Sequence, residues 1–458
     1  MRPAWDPRHL SQPFWNAHLE TLPREQLDAM HLRRLQALTR YALDHSPFYQ
    51  DKFRAAGVQL GDLRTLDDFK RLPLTDKDEF LDFQDQQPHY GRTGALPEDY
   101  LAMHCETSGT TGQRLRIPLT QYDTERYGES WVYGWWAMGI RPHDTFYFAF
   151  NWGLFAGFWS AYWGVRRLGA KLYSGGGQDS AGHIRQILRL QPSVLISTPT
   201  YALHLANEAR KMGVDLATSS VRFTYHAGEP GPCALPAVRD RLDREWGATS
   251  GELLGVAELD ALAPGCPTRT GVHMNEANVF SWSRDPVTGQ EVPEGEVGEN
   301  IVTSFVNTAQ PLINYRTHDL VRRRSSCACG RTWGFLDGVV LGRTDFMLTV
   351  RGTNVYPSAV EALLGQVSGV SSYYRMLLTR DDSGLDQMTV EFEPVPDAAV
   401  DPDALARAVT DRLREAIGVR IDARSVPEGS LPRPELKTQR VIDQRPREVR
   451  RALETRSA

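Results

Sequence analysis

Between residues 26 and 45 apolar side chains recur at helical spacing: Leu27, Met30, Leu32, Leu35, Leu38, Ala42 and Leu43. The run stops before Ser46-Pro47. That spacing predicts an amphipathic helix serving as scaffold. From 101 to 255 short apolar runs bounded by turns (146–150, 171–173, 193–196, 220–225) alternate with helix-like stretches (121–138, 183–190, 201–211, 234–246). Strands alternating with helices of that length predict a mainly parallel α/β sheet. Between 256 and 350 strands and Gly, Pro and Asp turns dominate, as in Asp285-Pro286-Val287-Thr288-Gly289, and predict a β-subdomain. Beyond Gly342-Arg343-Thr344-Asp345 the order is strand, turn, helix (358–366), strand (373–379), strand (387–393), helix (402–416), strand. This is an α+β module of about a hundred residues, an ordinary domain size. The expected fold class is therefore α/β. A large N-terminal domain, 1–344, carries mainly parallel α/β sheet layers plus a β-subdomain; a small mobile α+β C-terminal domain, 345–458, follows.

Composition narrows the function classes. A chain of 458 residues with a formal charge of -5 gives no support for bulk nucleic-acid binding, so any phosphate must be held locally. No run approaches eighteen apolar residues, and Met1 to Asp6 has no apolar core of a signal peptide; no membrane partner and a cytoplasmic location are expected. Five cysteines, an odd number in a long chain, favour a reducing compartment and leave metal ligation open. Nothing chooses between monomer and homodimer. Of the 52 basic residues only Lys52, Lys70, Lys77, Lys171, Lys211 and Lys437 are lysine, so a lone Lys437 in the C-terminal half calls for a reason.

The segment Thr107-Ser108-Gly109-Thr110-Thr111-Gly112 concentrates hydroxyls and glycines before the strand-like Leu115-Arg116-Ile117. Glycines let backbone N–H groups approach an anion and hydroxyls add donors, which together make a phosphate cradle. It is not a Walker A loop, because the G-x-x-x-x-G-K-[ST] spacing is absent. A flexible surface turn is the competing reading. Gly175-Gly176-Gly177 lacks a dinucleotide-binding context and reads as a plain turn from strand to helix.

At this loop the chain resembles the adenylate-forming superfamily, and more closely its phenylacetate-CoA ligase family. Ala227-Gly228-Glu229-Pro230 is similar to the segment that contacts adenine. Leu254-Gly255-Val256-Ala257-Glu258 resembles the family's Tyr-Gly-x-Ser/Thr-Glu, and Tyr315-Arg316-Thr317-His318-Asp319 its Tyr-Arg-Thr-Gly-Asp. Gly342-Arg343-Thr344-Asp345 matches the hinge motif, Arg351 to Ser358 the loop lining the thiolation tunnel, and Pro432 to Lys437 the position of the catalytic lysine. Ser46-Pro47-Phe48-Tyr49 and Leu72-Pro73-Leu74-Thr75-Asp76-Lys77 are typical of this branch. Three positions depart from the pattern: Leu254 replaces an aromatic residue, and His318 and Leu436 replace glycines.

The resemblance implies an enzyme that activates a carboxylic acid with ATP, releases pyrophosphate, and transfers the acyl group of the acyl-adenylate to coenzyme A. Residues 107–112 would hold the β- and γ-phosphates, Ala227 to Pro230 the adenine, Asp319 the ribose and Glu258 a Mg²⁺. Arg343 would contact the nucleotide during catalysis. Lys437 would bridge carboxylate and phosphate oxygens as a compact point charge, where an Arg fork is bulkier and planar. Asp345 would be the hinge of the C-terminal domain, and Gly352 would leave the CoA tunnel open to the thiol arm. Aromatic residues follow the phosphate loop in two stretches, 131–136 and 148–159; most belong in the core. Phe155, within Asn151 to Gly157, resembles the acyl-pocket segment, and together with Tyr133 and Gly255 it is assigned to an apolar pocket for an aryl carboxylate.

Cys266 and His273, with Cys327 and Cys329, supply a Cys₃His set suited to closed tetrahedral Zn²⁺. Buried free thiols are the alternative, but similar arrangements in the family imply a structural zinc. Two competing functions share the fold: adenylation with a non-CoA acceptor (a carrier-protein thiol, an amine, or a cofactor that receives AMP), and a catalytically silent binding module.

Overall fold

The structure, a computed structural model, describes residues 7–86, 89–107, 114–344, 348–350, 353–355, 357–380, 386–395, 401–417, 420–432 and 440–445. The chain divides into two compact units, Met1–Val340 and Leu341–Ala458. Among the described residues no helix is long and apolar enough to cross a membrane.

In the first unit five short strands form a wholly parallel sheet: β1 (Thr145–Phe148), β2 (Lys171–Ser174), β3 (Val194–Ser197), β4 (Phe223–His226) and β5 (Thr249–Glu252), in the order β2-β1-β3-β4-β5. Helices Ala156–Leu168, Ser180–Leu190, Pro199–Lys211 and Pro236–Trp246 fill the four crossovers. Their ends are read from local chemistry. Asp179 and Thr198 cap two of them by accepting N–H groups of the first turn, and Gly169 and Gly247 close two others in the left-handed conformation. One core lies beneath Trp131, Trp135 and Trp136 of helix Gln121–Ala137, against Phe146, Ile196 and Tyr225 of the sheet.

The expected β-subdomain is an antiparallel sheet ordered Gly271–His273, Phe335–Asp337, Leu312–Arg324, Val297–Ser304, Val279–Arg284. The N-terminal helices Arg24–His45 and Pro47–Ala55 cover it, burying Leu35, Ala42, Phe48 and Phe53 in one core with Val279, Ile301, Leu312 and Val321. The second unit has a mixed four-stranded sheet ordered Asp422–Ser425, Asp386–Pro394, Val370–Arg380, Val441–Asp443. Helices Pro357–Leu364 and Pro402–Ile417 supply Val360, Leu364, Leu405, Val409 and Leu413 to its core.

A buried ion pair ties the start of the first unit to its end. Arg331 Nε lies 2.6 Å from Glu20 Oε2, with both side chains at or below 1% exposure. Burial pushes the Glu20 carboxyl up, outweighing the pull of Arg331, as expected where desolvation rivals the Coulombic gain. Trp333 Nε1 donates to Leu19 O (2.9 Å) and the Thr332 hydroxyl to Leu22 O (2.7 Å), so the contact is a continuous seam. Arg331→Ala leaves a buried carboxylate uncompensated and is expected to cost about 3–5 kcal/mol. The Glu20→Met/Arg331→Met double variant should recover most of that loss in urea denaturation; a double variant no better than the single would contradict this account.

Candidate functional site

The strand order reverses at β1, and in open parallel sheets the ligand crevice forms beyond the carboxyl ends of the strands at such a point. At the same carboxyl edge of the sheet, β4 runs into Ala227 to Pro230. Gly228 is exposed with φ +92°, and only Thr198 Cγ2, 4.0 Å away, approaches the place of its missing Cβ. Backbone conformation, rather than crowding, asks for glycine here. Glu229 accepts a hydrogen bond from the Thr200 N–H (3.0 Å) and another from its hydroxyl, at the first turn of helix Pro199–Lys211. Its charge therefore braces the turn against a helix N-terminus. The following loop is anchored by a residue that sequence reading missed. Glu252, buried at the end of β5, accepts the N–H groups of Gly231 (3.2 Å), Cys233 (2.6 Å) and Ala234 (3.2 Å). Burial pushes its carboxyl up to about 7 although these three bonds pull the other way.

Thr107, buried, closes the base of the phosphate loop by exchanging two bonds with Leu115: its N–H donates to Leu115 O, and its hydroxyl accepts from the Leu115 N–H, each at 3.0 Å. Ser108, Gly109, Thr110, Thr111 and Gly112, as well as Asp345, Gly352 and Lys437, lie outside the described residues. The Glu106 N–H donates to Leu154 O at 2.7 Å, so the aromatic segment abuts the base of the loop. Phe155 is half-buried at the start of helix Ala156–Leu168. The Gly175 to Gly177 turn joins this edge, the Gly177 N–H donating to Asn151 Oδ1 (2.8 Å). Tyr133 belongs elsewhere. It is fully buried with Leu22, Leu27 and Ala277, its ring 5.0 Å from Trp333. Two residues along a helix is roughly half a turn, so Tyr133 points away from the face on which Trp131 and Trp135 meet the parallel sheet.

Hairpin Leu254–Val256/Asp260–Ala263 presents Gly255, exposed and paired with Ala261. Leu254 packs in the core instead. Glu258, 7% exposed, is held through its carbonyl by Asn307 Nδ2 (2.9 Å), and its Oε1 lies 3.8 Å from Lys77 Nζ. Lys77, at the start of helix Lys77–Gln84, received no role from the sequence; its signal was the Thr75-Asp76-Lys77 motif.

Asp319 is 3% exposed on the long strand Leu312–Arg324, its N–H donating to Thr317 Oγ1 at 3.2 Å. That strand is strapped to the same motif. The Thr75 N–H donates to Asn314 O and the Arg316 N–H to Thr75 O, both at 2.9 Å. Arg316 pairs with Asp76 and Glu299, each at 3.0 Å. His318, where the family has glycine, has φ +60°: the left-handed backbone is present, and the ring sits between Asp76 (3.2 Å) and Glu299 (3.4 Å). Burial opposes ionisation of Asp76, but His318 and Arg316 hold its carboxyl down at about 2. Arg343 is half-buried on the two-residue strand Gly342–Arg343 of the second unit.

The four expected metal ligands converge. Donor atoms of Cys266, His273, Cys327 and Cys329 all lie within 4.8 Å of one another. Cys266 Sγ is 3.5 Å from Cys327 Sγ, and His273 Nε2 is 3.2 Å from Cys329 Sγ. Bond lengths of about 2.3 Å to sulfur and 2.0 Å to nitrogen around a tetrahedral centre give donor separations of about 3.5–3.8 Å, so the set fits such an ion. His273 Nδ1 lies 3.0 Å from Trp333 O, which turns Nε2 toward the thiols as an outer partner should.

Two predictions follow from the strapped strand. Asp76 titrates below its ordinary 3.8, so its contribution is full above about pH 4 and lost as pH falls toward about 2. The stability gap between the parent chain and Asp76→Asn should close over that window; a constant gap would refute the pairing. At His318, substitution by Ala and by Gly removes the same partners, but Gly also relieves left-handed strain. His318→Gly should exceed His318→Ala by about 1 kcal/mol in urea midpoints, and equality would mean an unstrained backbone.

Comparisons with known proteins agree with this layout. Residues 352–445 match the AMP-binding enzyme C-terminal domain. The chain is 32% identical over 455 residues to a phenylacetate-coenzyme A ligase of Thermus thermophilus, covering 94% of this chain and 100% of that protein. It is 30% identical over 437 residues to one of Escherichia coli K12, covering 93% and 97%. A 2-hydroxyisobutyryl-CoA ligase crystallised in the postadenylation state with 2-HIB-AMP superposes with a TM-score of 0.88 at 30% identity, covering 100% of this chain and 96% of that one. With identity of 30–32% to these relatives over nearly the whole chain, the chain belongs to the phenylacetate-CoA ligase family of adenylate-forming enzymes.

Proposed function

We propose that this protein is an AMP-forming acid–CoA ligase: it joins an aryl carboxylic acid to AMP with release of pyrophosphate, then passes the acyl group to the thiol of coenzyme A. The observation that carries this reading is the full-length match to a CoA ligase crystallised with an acyl-adenylate.

In the first step a carboxylate oxygen bonds to the α-phosphorus and pyrophosphate leaves. Backbone N–H groups and hydroxyls of residues 107–112 cradle the β- and γ-phosphates. Ala227 to Pro230 line the adenine, the braced Glu229 turn keeping them in place, and Asp319 accepts hydrogen bonds from the ribose. Glu258, a buried hard-oxygen donor already facing the cation Lys77, fits Mg²⁺, which would neutralise phosphate charge. Arg343 and Lys437 contact the reacting oxygens. In the second step the C-terminal domain, 345–458, turns about Asp345 and brings Gly352 to the thiol tunnel. Phe155 and Gly255 face the aryl group. Cys266, His273, Cys327 and Cys329 hold a structural Zn²⁺ that ties two strand ends together. Five free cysteines favour a reducing compartment, hence the cytoplasm.

Carboxylate-dependent exchange of pyrophosphate into ATP, over a panel of aryl acids, tests the first step; thioester formation with CoA tests the second. No exchange with any acid sinks the ligase reading, and exchange without thioester shifts it to another acceptor. Lys437→Ala should abolish exchange yet still convert supplied acyl-adenylate to thioester; equal loss of both would contradict the division of labour. Metal analysis should return one zinc per chain, and a chelator should lower the melting temperature. Well under one zinc removes the Cys₃His assignment.

A further inference from the structure

Asp260 opens the second strand of the hairpin that carries Glu258, its backbone paired with Val256. Its φ of +58° lies in the left-handed region, which aspartate enters more readily than most side chains but still at a cost. The side chain is 2% exposed. A carboxylate buried this deeply is ordinarily met by a cation or by several donors. Three other buried carboxylates of the first unit obey the rule: Glu20 meets Arg331, Glu252 meets three N–H groups, and Asp123 caps a helix and meets Thr308. Asp260 does not. Ser160 and Ala261 lie beside it, but the Ser160 hydroxyl donates to Gly157 O at 2.7 Å, and Asp260 Oδ2 has no partner among the described residues.

The elements around it are those that frame the crevice. Ser160 lies on the helix that starts beyond Phe155, and Gly255 pairs with Ala261, the residue after Asp260. Cys105, two residues before Thr107, and Tyr127 lie within electrostatic reach of the carboxylate. Cys105, Tyr127 and Ala156 form a small apolar cluster of their own. A polar atom placed among apolar walls, at the junction of the phosphate loop, the aromatic segment and the Glu258 hairpin, has the character of a ligand contact.

We propose that Asp260 determines specificity in the acyl pocket, and that the acid activated here carries an N–H or O–H donor, a ring amino or hydroxyl group, that binds Asp260 Oδ2. This rests on reading the crevice as the adenylation site. A donor-bearing acid would give the orphaned oxygen its partner whereas an aryl acid without one leaves it unpaired, and sites built to hydrogen-bond a substrate group discriminate strongly against the analogue that lacks it.

The test is pyrophosphate exchange on matched pairs: aminobenzoates and hydroxyphenylacetates against benzoate and phenylacetate. The parent chain should prefer the best donor-bearing acid over its unsubstituted partner by at least about 100-fold in kcat/KM. Asp260→Leu should collapse that ratio by lowering the first value and raising the second. Asp260→Asn, close in shape and still able to accept a hydrogen bond, should keep a preference and guard against a folding defect in the Leu variant. Equal use of both members of each pair by the parent chain overturns the proposal while leaving the ligase reading intact. So does a parallel loss of both activities, with an unchanged ratio, in both variants. No exchange with any acid overturns the ligase reading and this proposal together.

Discussion

The crevice depends on one charge lattice. Glu299, with no exposed side-chain surface, receives Arg284, Arg316 and His318, while Asp76 reaches the last two from the other side. A carboxylate sealed from water is costly alone and stabilising only when several cations and donors converge on it. That requirement fixes the long strand carrying Asp319 against the Thr75 segment, and the same segment aims Lys77 at Glu258. The positions of Asp319 and Glu258 are thus governed by the same few ion pairs, although the residues concerned lie far apart along the chain.

Around that lattice the acidic residues divide into two kinds. Glu229 and Glu252 are spent on architecture: one braces the glycine turn on a helix N-terminus, and the other gathers three backbone N–H groups of the next loop. Asp260 keeps one carboxylate oxygen without a partner among the described residues, and Glu258, on the same short hairpin, faces Lys77 at 3.8 Å.

Much of this was legible beforehand. Four strands of the parallel sheet, the long N-terminal helix, three of the four crossover helices and both helices of the second unit were foreseen because apolar periodicity and cap residues are local signals. β5 was missed: Thr249-Ser250-Gly251-Glu252 has no apolar run, and it is a strand only because its neighbour β4 supplies the ladder. The helix Ala156–Leu168 was hidden by its glycines and by a crowd of aromatic residues that could equally line a pocket. The Cys₃His set was read from its residues, and its four side chains do converge; Asp319 and Glu258 were singled out because each sits in a recognisable run. Tyr133 was misplaced because proximity in sequence says little about which side of a helix a residue faces. The His318 departure from glycine, opaque in the sequence, makes sense once its backbone angle and two carboxylate neighbours are seen. Glu252 and Asp260 carried no motif; their character comes from burial and from partners, which only the fold reveals.

The seam between Glu20 and Arg331 spans 311 positions, and the helices that follow Glu20 bury their apolar stripe against strands from the far side of the parallel sheet. Helices Arg24–His45 and Pro47–Ala55 therefore have no surface to close upon until nearly the whole first unit has been made. Long-range closure of this kind slows folding and keeps apolar stripes exposed meanwhile. The amino-terminal helices, earliest in synthesis, are the last part of their unit to be sheltered, and a nascent chain of this enzyme has a long interval in which to need chaperoning.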